Sequence, residues 1–303
     1  IRKFIKQNKL MIYNIIRYRA IILLLGVLFG HNISYCQKYD DHVYRLIISS
    51  SMFQNTKPED VEASTKILAA ELNKNGNIKA KFEISVCENE KELLDSLKTQ
   101  FDILYISPIE YLKLKKKFSI QPTLLSEIDN SYGDIYYLIT NKKGNKKALR
   151  DIKDGIIYVL SNSEGQAPSL WLDKILKDNN LPSQNKYFKQ VNFDYKTTNV
   201  VLPVFFNKAD AAIVTESAFN LICELNPKIK NEAIIVLKSK PFPNALFCSD
   251  GRSKDEERKN FLLKYLQELH KNNYGKQVLT LYMVDRLIPF KQEYLDNILE
   301  LYK

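Results

Sequence analysis

The chain has 303 residues, 45% of them apolar and 26% charged, a composition that suits a folded protein of two domains or of one domain in two lobes. Its formal charge is +10, but six of the basic residues (Arg2, Lys3, Lys6, Lys9, Arg17, Arg19) lie in a first segment, 1–37, that holds no acid; removing them leaves 39 basic against 35 acidic groups. That small excess excludes the dense basic face of a nucleic-acid binder and fits, weakly, an anionic small-molecule partner.

In the first segment, Ala20–Phe29 is an apolar run of ten residues preceded by Arg17 and Arg19. It is short of the roughly 20 residues that span a bilayer and has the layout of a signal-peptide core. Ser34 and Cys36 are small enough for cleavage before Gln37. The reading is therefore an exported protein, periplasmic or envelope-associated, with Met11 as the start and residues 1–10 as an extension. Lipidation of Cys36 and a retained anchor are the alternatives. Beyond this segment remain His42, His270, Cys87, Cys223 and Cys248, too few and too widely spaced for a disulfide framework, a metal site or histidine-based catalysis. No cofactor or metal is expected, and Cys87 and Cys223 read as core thiols.

From Val43 onward short strands alternate with helices, the pattern of an α/β fold. Tyr44–Ser49 is a strand, and Thr56–Glu59 is a capping box opening a helix with Val61, Thr65, Leu68 and Leu72 on its apolar face. Lys81–Val86 is a strand, Asn89 caps the next helix, and Ile103–Ile106 is a strand running into Ser107-Pro108-x-Glu110. There serine is the cap, proline takes the first helical position and glutamate can close the box. Strands are also expected at Asp134–Thr140, Gly155–Leu160, Tyr187–Phe193 and Ala211–Val214, with a helix through Trp171–Leu176 and another from Ser253 to Leu269. Pro168 and Pro203 should each sit in a helix's first turn, which places helix starts near Ser163–Glu164 and Thr198–Asn199. Asn130–Asp134 and Lys238–Asn244 look like crossings between two lobes: 43–133 with 245–303, and 134–244.

In open α/β sheets ligands sit outside the carboxyl ends of the strands, so five strand-to-helix junctions matter most. They are Ser49-Ser50-Ser51-Met52-Phe53, Tyr105-Ile106-Ser107, Ser161–Gly165, Lys196-Thr197-Thr198-Asn199 and Thr215-Glu216-Ser217. Hydroxyls and free N–H groups at helix starts can hold an oxyanion without arginine. The plainer reading at any one junction is a residue that only caps its helix; five hydroxyl-bearing junctions on one edge favour a shared site. Candidate ligand residues are Ser49, Ser50, Phe53, Tyr105, Ser107, Ser163, Glu164, Gly165, Thr197, Thr198, Thr215 and Glu216. Glu164 and Glu216 either serve the helix dipole or enter the cleft, where they would repel a bare anion and favour a ligand with a cationic end.

These residues resemble the phosphonate/phosphate-type periplasmic substrate-binding proteins of ABC transporters. The likeness runs from about Tyr44 to Phe290. It rests on Ile48-Ser49 with Pro58, the Phe-Asp-Ile-x-Tyr strand at 101–105, the strand Tyr136–Lys142 leading to Leu149–Ile152, the loop ending at Gly165, Thr197-Thr198-Asn199, and Asn207–Val214. The resemblance implies the two-lobed type II binding-protein fold, each lobe a mixed sheet flanked by helices with a two-strand hinge. It implies that Ser163 and Gly165 belong to the loop that grips phosphonate oxygens, with Glu164 a departure from that loop's pattern. Tyr105 supplies an aromatic, although Ile106 replaces its neighbour, and Glu216 is the carboxylate that would meet a ligand's amino group. Implied also are hinge closure, a membrane permease as partner, a monomer, and no chemistry on the ligand. A sensor module feeding a receptor needs the same cleft and is the alternative. An enzyme on the same fold lacks a nucleophile–base motif here.

Overall fold

A computed structural model describes residues 43–53, 57–76, 80–161, 165–281 and 284–302. The expected export segment, Ser163 and Glu164 lie outside these residues. In chain order the elements are β1 (Val43–Ser49), α1 (Pro58–Gly76), β2 (Lys81–Cys87), α2 (Glu90–Ser96), β3 (Ile103–Ile106), α3 (Pro108–Leu114) and β4 (Ile120–Glu127). Then come β5 (Tyr136–Asn141), β6 (Ile156–Leu160), α4 (Ala167–Asp178), α5 (Gln184–Tyr187), β7 (Gln190–Asp194), α6 (Thr197–Phe205), β8 (Ala211–Thr215), α7 (Glu216–Leu225), α8 (Pro227–Glu232) and β9 (Ala233–Lys238). The chain closes with β10 (Leu246–Asp250), α9 (Glu256–Glu268), α10 (Asn273–Leu281), β11 (Arg286–Pro289) and α11 (Asp296–Glu300).

The strands form two mixed sheets, β11-β4-β10-β3-β1-β2 and β7-β6-β8-β5-β9, both flanked by helices. In the first, β1 and β3 are parallel with Leu46 opposite Ile103 and Ile48 opposite Tyr105, so both strands deliver their carboxyl ends to one edge. In the second, β6 is parallel to both β7 and β8. All six residues of β5 are buried. Their alternation explains why: Tyr136 and Leu138 join one apolar cluster, while Tyr137 and Ile139 point to the other face and join a second. β8 does the same, with Ala211 and Ile213 on one side and Ala212 and Val214 on the other. Burying each larger side chain contributes roughly 1.5–3 kcal/mol. The first sheet has its own cluster, built on Ile47, Leu104, Ile106, Leu125 and Leu246. Residues 70–81 fall outside the compact unit formed by 44–69 and 82–303, and among them Asn73 Nδ2 donates to the Ala80 carbonyl at 2.8 Å and Ala80 N–H to Asn73 Oδ1 at 2.9 Å.

Two chain segments pass between the sheets, one before β5 and one after β9. Asp134 and Phe242 pair in antiparallel fashion where these segments meet. The tail does not keep to the first sheet's core. Leu295 belongs to that cluster, but Ile298 belongs to the second sheet's, and Asn297 Nδ2 donates to the Pro241 carbonyl at 2.8 Å and to the Tyr132 hydroxyl at 3.2 Å.

Several local expectations change. α4 starts at Ala167, with Gln166 as its cap, later than the Ser163–Glu164 start that Pro168 suggested; the proline occupies the second helical position. Pro203 lies inside α6 and not in its first turn. The helix tolerates it because it ends within three residues, where the Pro203 carbonyl accepts from Lys208 and Ala209 N–H at 2.7 and 3.1 Å. α9 is capped by Asp255, which accepts from Arg258 N–H, and not by Ser253. Cys87, Cys223, Cys248 and Trp171 are buried. Among the described residues no helix is long and apolar enough to cross a membrane.

Candidate functional site

A cavity of about 780 Å³ lies against both sheets' elements. On the first sheet's side β1 ends in Ser49, which caps a short 3-10 turn, Ser50–Met52, by accepting the Ser51 N–H at 3.3 Å. β3 ends in Ser107, whose hydroxyl accepts the Glu110 N–H at 3.2 Å and caps α3 as expected. Ser50, Ser51, Phe53, Ser107, Ile109, Glu110 and Lys113 border the cavity here.

Parallel pairing of β1 with β3 has a consequence that spacing along the chain conceals. Glu110 turns its carboxylate to a cradle of serine hydroxyls. Ser49 Oγ lies 2.9 and 3.0 Å from its two oxygens, Ser107 Oγ donates to Oε2 at 3.1 Å, and Ser51 Oγ donates to the same oxygen. The Glu110 carboxylate thus serves hydroxyls at the ends of both β1 and β3, a different role from the capping box expected of it.

On the second sheet's side the border is the amino end of α4: Gly165, Gln166, Ala167 and Pro168. Gly165 has φ +84, a left-handed conformation that suits glycine. Gln166, the cap, makes no side-chain bond to the helix; its Oε1 accepts instead from Ser161 Oγ at 3.0 Å. The first-turn N–H groups of Ala167 and Ser169 have no intrahelical acceptor, so this end carries positive potential. Tyr136, Pro243, Asn244 and Ile298 complete the lining, with Glu88 and Pro58. Behind Asn244, burial pushes the Asp134 carboxyl above its ordinary value, and a hydrogen bond from the Asn244 side chain partly opposes that shift. Burial also pushes the Tyr136 hydroxyl well up.

Of the residues singled out from sequence, Ser50, Phe53, Ser107 and Gly165 border the cavity, and Ser49 stands just behind, 1% exposed, on Glu110. Ser163 and Glu164 fall outside the described residues. The others are not brought to the cavity. Tyr105 packs at a tilt of 32° against Phe247 across the β3–β10 pair, with ring centroids 4.5 Å apart. Thr197 and Thr198 begin α6 beyond β7, an edge strand of the second sheet. Thr215 caps α7, accepting the Ala218 N–H at 3.2 Å. Glu216 is held by the Tyr137 hydroxyl and by Lys238 Nζ at 3.0 Å, on the face of β5 opposite Tyr136. The Tyr137 hydrogen bond, with Lys238 adding to it, holds the Glu216 carboxyl below its ordinary value. Sequence reasoning missed Glu110, Tyr136, Gln166 and Asn244 as cavity residues; only for Glu110 did a sequence signal exist, its place in the capping box. Among the described residues no group of three metal-ligating side chains is placed to hold an ion.

Comparison with solved structures places this arrangement among known folds. A protein of Xanthomonas citri bound to ATP superposes with a TM-score of 0.60 at 15% identity, over 86% of this chain and 95% of that one. A binding-protein component of an ABC phosphonate transporter from Pseudomonas aeruginosa gives 0.58 at 15% identity, over 87% and 86%. PhnD1 of Prochlorococcus marinus (MIT 9301), in complex with methylphosphonate, gives 0.58 at 14% identity, over 86% and 96%. These likenesses show the type II periplasmic-binding-protein fold. A search of curated protein sequences found no match. Residues 51–295 match the family described as ABC transporter, phosphonate, periplasmic substrate-binding protein. With more than half its length in that match, the chain belongs to the phosphonate-type periplasmic substrate-binding proteins of ABC transporters, a family of exported binding proteins and not of enzymes.

Proposed function

We propose that the cavity captures a small oxyanion of the phosphonate or phosphate class and that the loaded protein delivers it to its own ABC permease. The observation that carries this reading is the meeting, at one cavity of about 780 Å³, of the free amino end of α4 with the hydroxyl-bearing ends of β1 and β3. A charge-assisted bond from such donors is about twice as strong as a neutral one. The methylphosphonate complex of the Prochlorococcus marinus protein supports the ligand class.

In this reading 43–133 with 245–303 and 134–244 act as two lobes, and the paired segments at Asp134 and Phe242 are the hinge. A ligand that touches both lobes favours the closed form by its differential contacts alone, and the permease reads that form. Ser50 and Phe53 on one lobe, and Gly165 with the α4 amino end on the other, are the contacts proposed; Ser51 and Ser107 join them only by releasing Glu110. Ser163 and Glu164, just before Gly165 in the sequence, are proposed with them.

A thermal-shift panel of phosphate, methylphosphonate, 2-aminoethylphosphonate and sulfate tests it. Binding to the folded state alone raises stability by about 2.7 kcal/mol at a hundredfold excess over Kd. No shift with any member would sink the reading.

A further inference from the structure

The segment after β11 joins the two sheets' cores a third time. Leu295 and Leu299, four residues apart, pack in the first sheet's apolar cluster, whereas Ile298 and Leu301, three apart, pack in the second sheet's. Residues at these spacings share a helix face, so the turn of chain around α11 presents one face to each core. Leu295 and Ile298 are both wholly buried. Asn297 ties the same turn to both segments that pass between the sheets. Its Nδ2 donates to the Pro241 carbonyl, after β9, at 2.8 Å and to the Tyr132 hydroxyl, before β5, at 3.2 Å. The Tyr132 ring in turn packs on Tyr294, with centroids 4.5 Å apart.

Two lobes joined by a pair of strand-like segments alone can rotate about that pair. Here such a rotation pulls α11 from one core or the other, because Leu295 and Ile298, three residues apart, cannot follow two bodies that separate. Ile298 also borders the cavity, so a shift of α11 moves a cavity wall. Resting on the reading of two hinged lobes, we infer that α11 is a strap that sets the separation of the lobes, and that Asn297 is the positioning residue that pins the strap to the hinge. Asn297 need not touch ligand. It acts through Ile298 and the hinge segments, which hold the α4 amino end facing the ends of β1 and β3.

The distance between lobes, measured without ligand by double electron–electron resonance, tests the inference. Spin labels go on Lys116→Cys and Lys228→Cys, exposed positions of the first and second lobe, in a Cys36→Ser background. Cys87, Cys223 and Cys248 are buried and do not compete for label. The otherwise unaltered protein is expected to give one narrow distance distribution. Asn297→Ala should broaden it, and Tyr132→Phe, which removes one acceptor and keeps the ring, should broaden it less. Calorimetric titration with methylphosphonate supplies the second readout: if the fraction of molecules with both walls in place falls to a third, apparent Kd rises about threefold. A lower unfolding midpoint with an unchanged distribution in Asn297→Ala would mark a purely structural contact and overturn the inference. So would a broad distribution in the unaltered protein, an outcome that needs no strap variant to fold. Broadening in the variants, with no binding of methylphosphonate, 2-aminoethylphosphonate or phosphate by the unaltered protein, would uphold the strap and overturn the oxyanion reading instead.

Discussion

The backbones of Asp134 and Phe242 bond to each other twice, each N–H donating to the other's carbonyl at 2.8 Å. The two segments that pass between the sheets are thereby one antiparallel pair, and Gly133 sits where they are closest. A Cβ added at Gly133 would meet the Phe242 carbonyl oxygen at 2.1 Å and the Pro243 nitrogen at 2.5 Å. Both are backbone atoms, so no side chain can swing aside. Gly133→Ala is expected to destabilise the protein by about 1–3 kcal/mol or more, as overpacking does. Urea unfolding checks this; an unchanged midpoint would show that the pair can separate without cost.

Asp134 and Glu216 should give opposite pH signatures. Burial raises the Asp134 carboxyl in the folded state, so the native protein holds that proton more tightly than the unfolded chain. Its contribution is favourable below the unfolded value, about 3.9, and is lost as pH rises through the folded value. Asp134→Asn should therefore raise Tm at neutral pH, with the gain vanishing in acid. Glu216 is lowered, first by its bond from Tyr137 and then by Lys238. Its contribution is present above the unfolded value and disappears as pH falls through the folded one. Glu216→Gln should lower Tm at neutral pH and have no effect in acid. Scanning calorimetry of both variants across pH decides; parallel profiles would contradict the assignment of causes.

Ile298 is wholly buried, borders the cavity and packs in the second sheet's cluster, although Leu295, three residues earlier, packs in the first sheet's. Ile298→Ala is expected to cost about 2–5 kcal/mol, because the neighbours can only partly collapse into the space left. It should also enlarge the cavity and weaken ligand binding. A variant as stable as the parent in denaturant would show that the tail's docking on the second sheet contributes little.

How much was legible in the sequence varies with the range of the interaction. The Ser107 cap, Pro108 in the first position of α3 and the strand before them appear where the residue pattern placed them, because each depends on neighbours within four residues. The Asn89 cap is equally local; it accepts the Glu92 N–H at 3.1 Å. Pro203 misled because a proline's missing N–H is harmless at a helix's start but also survivable near a short helix's end. β4 has a mixed pattern, Ile120-Gln-Pro-Thr-Leu-Leu-Ser-Glu, with no alternation to declare it a strand; its pairing with both β10 and β11 makes it one. Thr198 and Thr215 look alike in sequence to Ser107, a hydroxyl at a helix start, and nothing local reveals which of the three borders a cavity.

By itself the sequence determined the alternation of strands and helices in outline, though not β4 or the helix at Gln184–Tyr187, together with the family and the supply of hydroxyls at strand ends, because periodicity, caps and turn residues act over a few positions. Only the tertiary structure decided which polar groups have partners. Ser49 and Glu110 are 61 residues apart and meet because β1 and β3 pair in parallel, while Glu216 is claimed by Lys238, 22 residues on, through the pairing of β5 with β8 and β9. Whether a carboxylate waits for a ligand or is already neutralised by its neighbours depends on distances that strand pairing sets, and no local pattern encodes them.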